Sequence, residues 1–262
     1  MVNRIKYCFF SIFFLCSLYT QKIDQQVWVD SIYSSMSLDQ KVGQLYSVWT
    51  ASKYGQEEIN EIKRIINEYH IGGLIFSLGN INDQIISHNI FQEQSNIPLL
   101  ISMDAEWGLG MRLDDGFSFP YNITLGAIRD DSLVFAVGHR IGEHLKKIGV
   151  HLNFAPVSDV NTNPKNPIIG ARSFGENKMN VSVKGVSFTK GIQSKNILAT
   201  AKHFPGHGNT STDSHHTLPL VNHDINHLNR IELYPFKTLI DEGVFSVMVG
   251  HLEVPTLEQT KG

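Results

Sequence analysis

The sequence predicts an α/β protein of the (β/α)8 TIM-barrel type, cut short after about six β/α units, and three observations predict it. Helical and extended patterns alternate from Ser37 onward. The extended runs are continuously apolar, as in strands of a parallel sheet covered on both faces. Polar residues (Asp104, Asp159, Lys202, His203 and His251) follow the apolar strand cores at their C-terminal ends, where a barrel gathers its catalytic groups into one mouth. About six units favour a barrel over a doubly wound sheet, and a closed barrel would need two more.

The elements follow in order. "SLDQKVGQLYSVW" opens with a capping box, Ser37 to Gln40, ahead of a short helix and an apolar run. In "EEINEIKRIINEYH", Ile59, Ile62, Ile65, Ile66 and Tyr69 share one helical stripe, which Gly72 and Gly73 are expected to end. "LIFSLG" and "IPLLISMD" read as strands. Val134, Val137, Ile141, Leu145 and Ile148 mark a helix that stops at Gly149. "VHLNFAPVSDV" reads as a strand running into a loop, and a weaker helix over about Asn180 to Ser194 precedes the strand "ILATAKHF". "INHLNRIELYPFKTLIDEG" is helical, with Pro235 expected to kink or interrupt it, and "VFSVMVGHLEVP" is the last strand.

The first twenty residues stand apart. Arg4 and Lys6 precede an uncharged, mostly apolar run from Tyr7 to Tyr19, too short to span a bilayer and suited to a secretory signal with cleavage near Thr20. Residues 1–20 are thus expected to be a signal peptide, 21–36 a lead-in, and 37–262 the barrel domain, placing the protein in the periplasm or outside the cell with no stable membrane span after signal removal. Leu15 is too bulky for the position before a lipidated Cys16. Cys8 and Cys16 are the chain's two cysteines and both lie in this segment, so the mature chain offers no disulfide, thiol nucleophile or cysteine metal site. Its 22 basic and 25 acidic residues give a net charge of −3 and no basic stripe, which argues against nucleic acid as a partner.

Chemistry concentrates in "KHFPGHGNTSTDSHH", Lys202 to His216, which holds four of the twelve histidines. His203 and His207 have the spacing of a helical zinc pair, but Pro205, Gly206 and Gly208 oppose a helix and Phe204 replaces the usual glutamate. No metal or other cofactor is therefore expected. Asp213 and His215, two apart, can pair a carboxylate with one ring nitrogen, fixing the tautomer and aiming the other nitrogen at a ligand. Such pairs also arise by chance. His207 reads as structural, and His216, His223 and His227 as loop or helix-surface residues.

"KHFPGHGNTSTDSHHTLPLV" closely resembles the signature of the bacterial β-N-acetylglucosaminidases of glycoside hydrolase family 3. "SLDQKVGQL", "IGGLIF", "ISMDAEWGLGMRL", "HLNFAPVSDVNTNPKNPIIGARSFG" and "VMVGHLEVP" resemble further family segments in the family's order, so that the likeness runs from Ser37 to Pro255. It implies a catalytic barrel and retaining, exo-acting hydrolysis of terminal N-acetylglucosamine from peptidoglycan-derived or related glycans. His215 matches the histidine acid/base and Asp213 its partner. Asp104, Arg112, Arg172, Lys202 and His203 match sugar-contacting positions. Asp104 and Arg112 could equally be a structural ion pair, and Arg172 a loop tie. Trp107 stands where the family has a small residue, as a stacking surface or as rim filling.

The family's nucleophilic aspartate lies on a later strand, after the segment matching "VMVGHLEVP", so no residue here takes that role. A family phosphorylase and a non-catalytic sugar-binding relic are the alternatives: a histidine acid/base does not repel phosphate as a carboxylate would. Without its last units the barrel would leave a parallel edge exposed. Residues 1–262 alone are expected to be poorly stable and inactive, and hydrolysis of an aryl N-acetylglucosaminide by that polypeptide would refute this.

Overall fold

The computed structural model describes residues 24–53, 55–212 and 218–258. The expected signal peptide lies outside them, and among the described residues no helix is long and apolar enough to cross a membrane. Six strands, β1 (Ser47–Thr50), β2 (Gly73–Phe76), β3 (Leu100–Met103), β4 (Leu152–Asn153), β5 (Leu198–Phe204) and β6 (Ser246–Val249), form one parallel sheet in sequential order. Nine helices surround it among the described residues: α1 (Gln25–Ser35), α2 (Leu38–Gly43), α3 (Gln56–Tyr69), α4 (Ile81–Gln94), α5 (Asn122–Gly126), α6 (Asp131–Lys147), α7 (Lys178–Gln193), α8 (Ile225–Arg230) and α9 (Leu233–Asp241). Sequential parallel order is the topology of a barrel, curled here as six strands with helices, and it excludes a doubly wound sheet.

The capping box forms as expected: Ser37 Oγ accepts from the Gln40 amide, and Gln40 Oε1 accepts from the Ser37 amide. Ile62 and Ile66 bury the inner stripe of α3, but Tyr69 is exposed. Gly72 and Gly73 do not end this helix. His70 does, in the left-handed conformation, with its N–H on the Ile66 carbonyl. Gly72 serves close approach instead, since a Cβ there would lie 2.2 Å from the Gln44 carbonyl oxygen.

The "INHLNRIELYPFKTLIDEG" segment splits into α8 and α9, and the break falls at Ile231 and Glu232 rather than at Pro235. Pro235 sits in the first turn of α9, where the missing N–H has no intrahelical acceptor to lose. α4 carries no clear helical signal in the sequence, and its residues explain why. It buries Gln84 and Ser87 beside Phe91, so no apolar stripe marks its inner face. α7 reads weakly for the opposite reason. It is buried on several sides, from Val181 and Lys184 to Phe188 and Ile192, between α6, α9 and the sheet.

α6 and α7 make the most extensive helix contact, and small residues permit it. A Cβ on Gly138 would lie 2.4 Å from the Phe188 carbonyl oxygen, and one on Gly191 would lie 2.3 Å from that of Phe135. Backbone cannot yield as a side-chain tip can. Gly138→Ala is expected to destabilise the protein by about 1–3 kcal/mol despite alanine's better helix propensity, measured by denaturant unfolding.

Candidate active site

The site is built from the C-terminal ends of β3, β4 and β5. Asp104 follows β3 directly, and the chain turns back through Glu106 into a short 3-10 turn, Leu109–Met111, that delivers Arg112. The peptide between the two acids is gripped from β4: Asn153 Oδ1 accepts from the Ala105 N–H at 3.0 Å, and its Nδ2 donates to the Ala105 carbonyl at 3.2 Å. Beyond β4, residues 155–159 run alongside β5, the Ser158 N–H donating to the Lys202 carbonyl at 2.6 Å and the Lys202 N–H to the Pro156 carbonyl at 3.1 Å. That path brings Asp159 to the mouth.

Neighbouring residues of a regular strand point to opposite faces. In β5 the register shifts between Lys202 and Phe204, and such a bulge re-aims side chains, so both Lys202 and His203 reach one cluster. Gly208, five residues past His203, passes the Val160 carbonyl so closely that a Cβ would lie 1.9 Å from its oxygen. The glycines of this segment therefore fold it back against the loop after Asp159.

Lys202 Nζ lies 2.7 Å from Asp104 Oδ1 and 2.8 Å from Glu106 Oε1. Arg112 donates to Asp104 Oδ2 at 2.6 Å. Arg172, delivered by a second 3-10 turn (Gly170–Arg172), grips Glu106 with Nε and Nη2 at 3.0 and 2.7 Å. Asp159 accepts from the His203 backbone and ring Nδ1, the latter at 2.7 Å, and from the His207 N–H at 2.6 Å. With its Nδ1 proton on Asp159, the ring presents Nε2 as an acceptor to Arg172 Nη2, 3.3 Å away.

Exposure sorts these groups into two tiers. The Asp104 side chain is 24% exposed, and Arg112, Arg172 and His203 are likewise partly exposed, at 28%, 24% and 17%. Lys202, at 2%, and Glu106 and Asp159, at 0%, lie beneath them. The upper tier can meet a ligand with an acceptor and two fork-shaped donors, an arrangement suited to paired hydroxyls and carbonyl oxygens. The lower tier holds it in place.

Burial would raise the Asp104 carboxyl, but Lys202 and Arg112 outweigh it and hold its pKa at about 2. Glu106 is likewise buried yet lowered by Lys202 and Arg172, and buried Asp159 is lowered by His203 and the His207 N–H. Burial disfavours the Arg172 cation, but Glu106 more than restores it. His207 is pushed down by burial, and its ring Nδ1 bonds to the Thr210 hydroxyl.

Of the residues singled out in the sequence, Asp104, Arg112, Arg172, Lys202 and His203 thus come together in one network. Asp213 and His215 lie outside the described residues. His251 stands exposed two residues beyond β6. Trp107 packs edge-on against Tyr121, with ring centroids 4.7 Å apart. Glu106 and Asn153 were missed, and Asp159, although noted at a strand end, was not carried into the site. An acid two residues past a strand-end aspartate was the available signal for Glu106.

Residues 37–261 match the glycosyl hydrolase family 3 N terminal domain. The chain belongs to glycosyl hydrolase family 3. It is 37% identical over 215 residues to beta-hexosaminidase A of Pseudoalteromonas piscicida, covering 77% of this chain and 36% of that protein. It is 32% identical over 212 residues to beta-hexosaminidase LpqI of Mycobacterium tuberculosis, covering 78% and 53%. The chain thus spans about a third to a half of the length of these curated relatives. A family 3 β-N-acetylglucosaminidase from Paenibacillus superposes with a TM-score of 0.79 at 38% identity, covering 87% of this chain and 44% of that one. The β-glucoside phosphorylase BglX superposes at 0.83 with 24% identity, a likeness of fold alone.

The family 3 network has a definite acid dependence. Asp104 titrates lower in the folded protein than the ordinary 3.8, so its contribution is present above that value and is lost as pH falls toward about 2. The share is roughly 2 kcal/mol at neutral pH. Asp104→Asn should unfold more readily than the wild type at pH 7 and lose less stability between pH 5 and 2, as followed by urea unfolding across that range.

Proposed function

We propose that this chain carries the sugar-binding and proton-transfer parts of a retaining exo-β-N-acetylglucosaminidase that removes terminal N-acetylglucosamine from peptidoglycan-derived or related glycans. The two-tier network at the strand ends carries this reading. Asp104, Arg112 and Arg172 offer an acceptor and directional donors to the hydroxyl and acetamido oxygens of one sugar ring, on a floor fixed by Lys202, Glu106 and Asp159. The names of the similar proteins, hexosaminidases and a β-N-acetylglucosaminidase, support the same sugar.

In this reading His215 donates a proton to the leaving glycosidic oxygen while a carboxylate attacks the anomeric carbon. It then takes a proton from the water that releases the sugar, with Asp213 holding its other ring nitrogen. The attacking carboxylate is none of the three in the network. Asp104 is clamped by two cations and held at a pKa of about 2, which makes it a poor nucleophile, and Glu106 and Asp159 are buried beneath it. The signal-like residues 1–20 support a periplasmic or extracellular location for the reaction in this reading.

In the longest natural form of the protein, His215→Ala should lower turnover of N-acetylglucosaminides bearing poor leaving groups by about 10²–10⁴-fold. Activated aryl leaving groups, which need less protonation, should lose less in the glycosylation step. Unchanged turnover in the variant would remove His215 from the mechanism, and a sugar 1-phosphate product formed only with phosphate would make the enzyme a phosphorylase.

A further inference from the structure

A second cluster of ligating side chains lies behind the mouth, at the elbow between α8 and α9. His223 immediately precedes Asp224, the N-cap of α8, His227 lies one turn into that helix, and Glu232 stands just before α9. The Glu232 side chain is 2% exposed. Neither of its oxygens accepts a hydrogen bond, and the buried His227 Nε2 has no hydrogen-bond partner. Its carboxylate caps no backbone amide at the start of α9. A buried carboxylate without a hydrogen-bond donor is costly, and among the described residues the charged or titratable groups paired with it are two imidazoles.

Those nitrogens converge on it. His227 Nε2 is 3.3 Å and His223 Nε2 3.9 Å from Glu232 Oε1. The two rings stack with centroids 4.0 Å apart and 17° between planes, so the His223 ring has to turn out of the stack for both in-plane lone pairs to meet one ion. All three donor atoms fall within 4.8 Å of one another. A tetrahedral zinc ion with ligands at about 2.0–2.1 Å keeps its donors about 3.3 Å apart. His227 and Glu232 already have that spacing, and His223 Nε2, 3.9 Å from Glu232 Oε1 and within 4.8 Å of the other donors, has to move inward by about 0.6 Å or more to match it.

The geometry points to a zinc site formed by His223, His227 and Glu232. Two imidazoles and one carboxylate suit zinc, whereas calcium and magnesium demand oxygen ligands. Solvent completes the fourth position. Binding takes His223 Nε2 away from the Asn209 amide, now 2.5 Å from it.

The position gives such an ion a purpose. Glu232 packs against Gly206, where a Cβ would lie 2.8 Å from the Glu232 Cβ, and His223 meets Asn209. Gly206 and Asn209 belong to the limb that leaves β5, while His223 belongs to the limb that returns after residues 213–217. Zinc at the elbow would staple both limbs at the base of the segment that carries Asp213 and His215. The site stands whether or not those two residues transfer protons.

The test is metal binding by the purified, chelator-stripped protein. Zinc titration is expected to show one equivalent bound with micromolar or tighter affinity. At a hundredfold excess over Kd the unfolding midpoint should rise by about 5 °C. His227→Ala, at a position whose side chain is 32% exposed and so tolerant of truncation, should abolish both, and Glu232→Gln should weaken binding at least tenfold. Cobalt should give the visible bands of a tetrahedral site in the wild type and not in His227→Ala. The proposal is overturned if the wild type binds no zinc at micromolar concentration, if His223→Ala/His227→Ala binds it unchanged, or if magnesium raises the midpoint equally. The first result would leave the cluster as a simple imidazole–carboxylate pair.

Discussion

The ammonium of Lys202, buried beneath Asp104 and Glu106, is the contact on which the mouth of the barrel depends. Burying an isolated cation is costly, and two carboxylates at 2.7 and 2.8 Å offset that cost and hold the ammonium in place. In return it allows Glu106 to remain ionised at zero exposure and so to grip Arg172. Removing one partner from such a buried set costs about 3–5 kcal/mol, because the remaining charge is stranded. Lys202 comes from β5 and both acids from the end of β3, so the pair also fixes how two strands that do not touch are spaced across β4.

Asn153 does the corresponding work from the middle strand. Its side-chain amide reproduces the pairing of a peptide group, taking both the N–H and the carbonyl of Ala105. β4 is only two residues long, and this one side chain extends its hold on β3 past the last ladder bond. Asp104 and Glu106 flank the gripped peptide, so their directions are set by backbone pairing rather than by rotamer choice alone.

The six strands could be read from the sequence because most are short, largely apolar runs, several with polar residues at their C-terminal ends, a pattern that one strand carries by itself. α4 and α7 were hard to read because their inner faces depend on neighbours: Gln84 and Ser87 are buried without being apolar, and α7 is enclosed on several sides. The site followed the same division. Asp104, Lys202 and His203 sit at strand ends and were visible there, and Arg112 and Arg172 entered through the family resemblance. Glu106 and Asn153 were not visible, since their roles exist only across strands, 96 residues from Lys202 in the first case and 48 from Ala105 in the second. His223, His227 and Glu232 were lost in the same way: the two histidines read as loop or helix-surface residues and Glu232 carried no signal, until the turn between α8 and α9 folds them together.

The network holds three carboxylates, Asp104, Glu106 and Asp159, against three cations, Lys202, Arg112 and Arg172. Opposite charges at contact distance cancel one another's field within a few ångströms, so the mouth sends no net field into solvent. An approaching ligand is neither drawn in nor turned away from a distance. A neutral sugar ring loses nothing by this, and its encounter rate is set by diffusion and orientation at any ionic strength. The charges act only after arrival, as fixed dipoles at hydrogen-bonding range, which is where one hydroxyl pattern can be told from another.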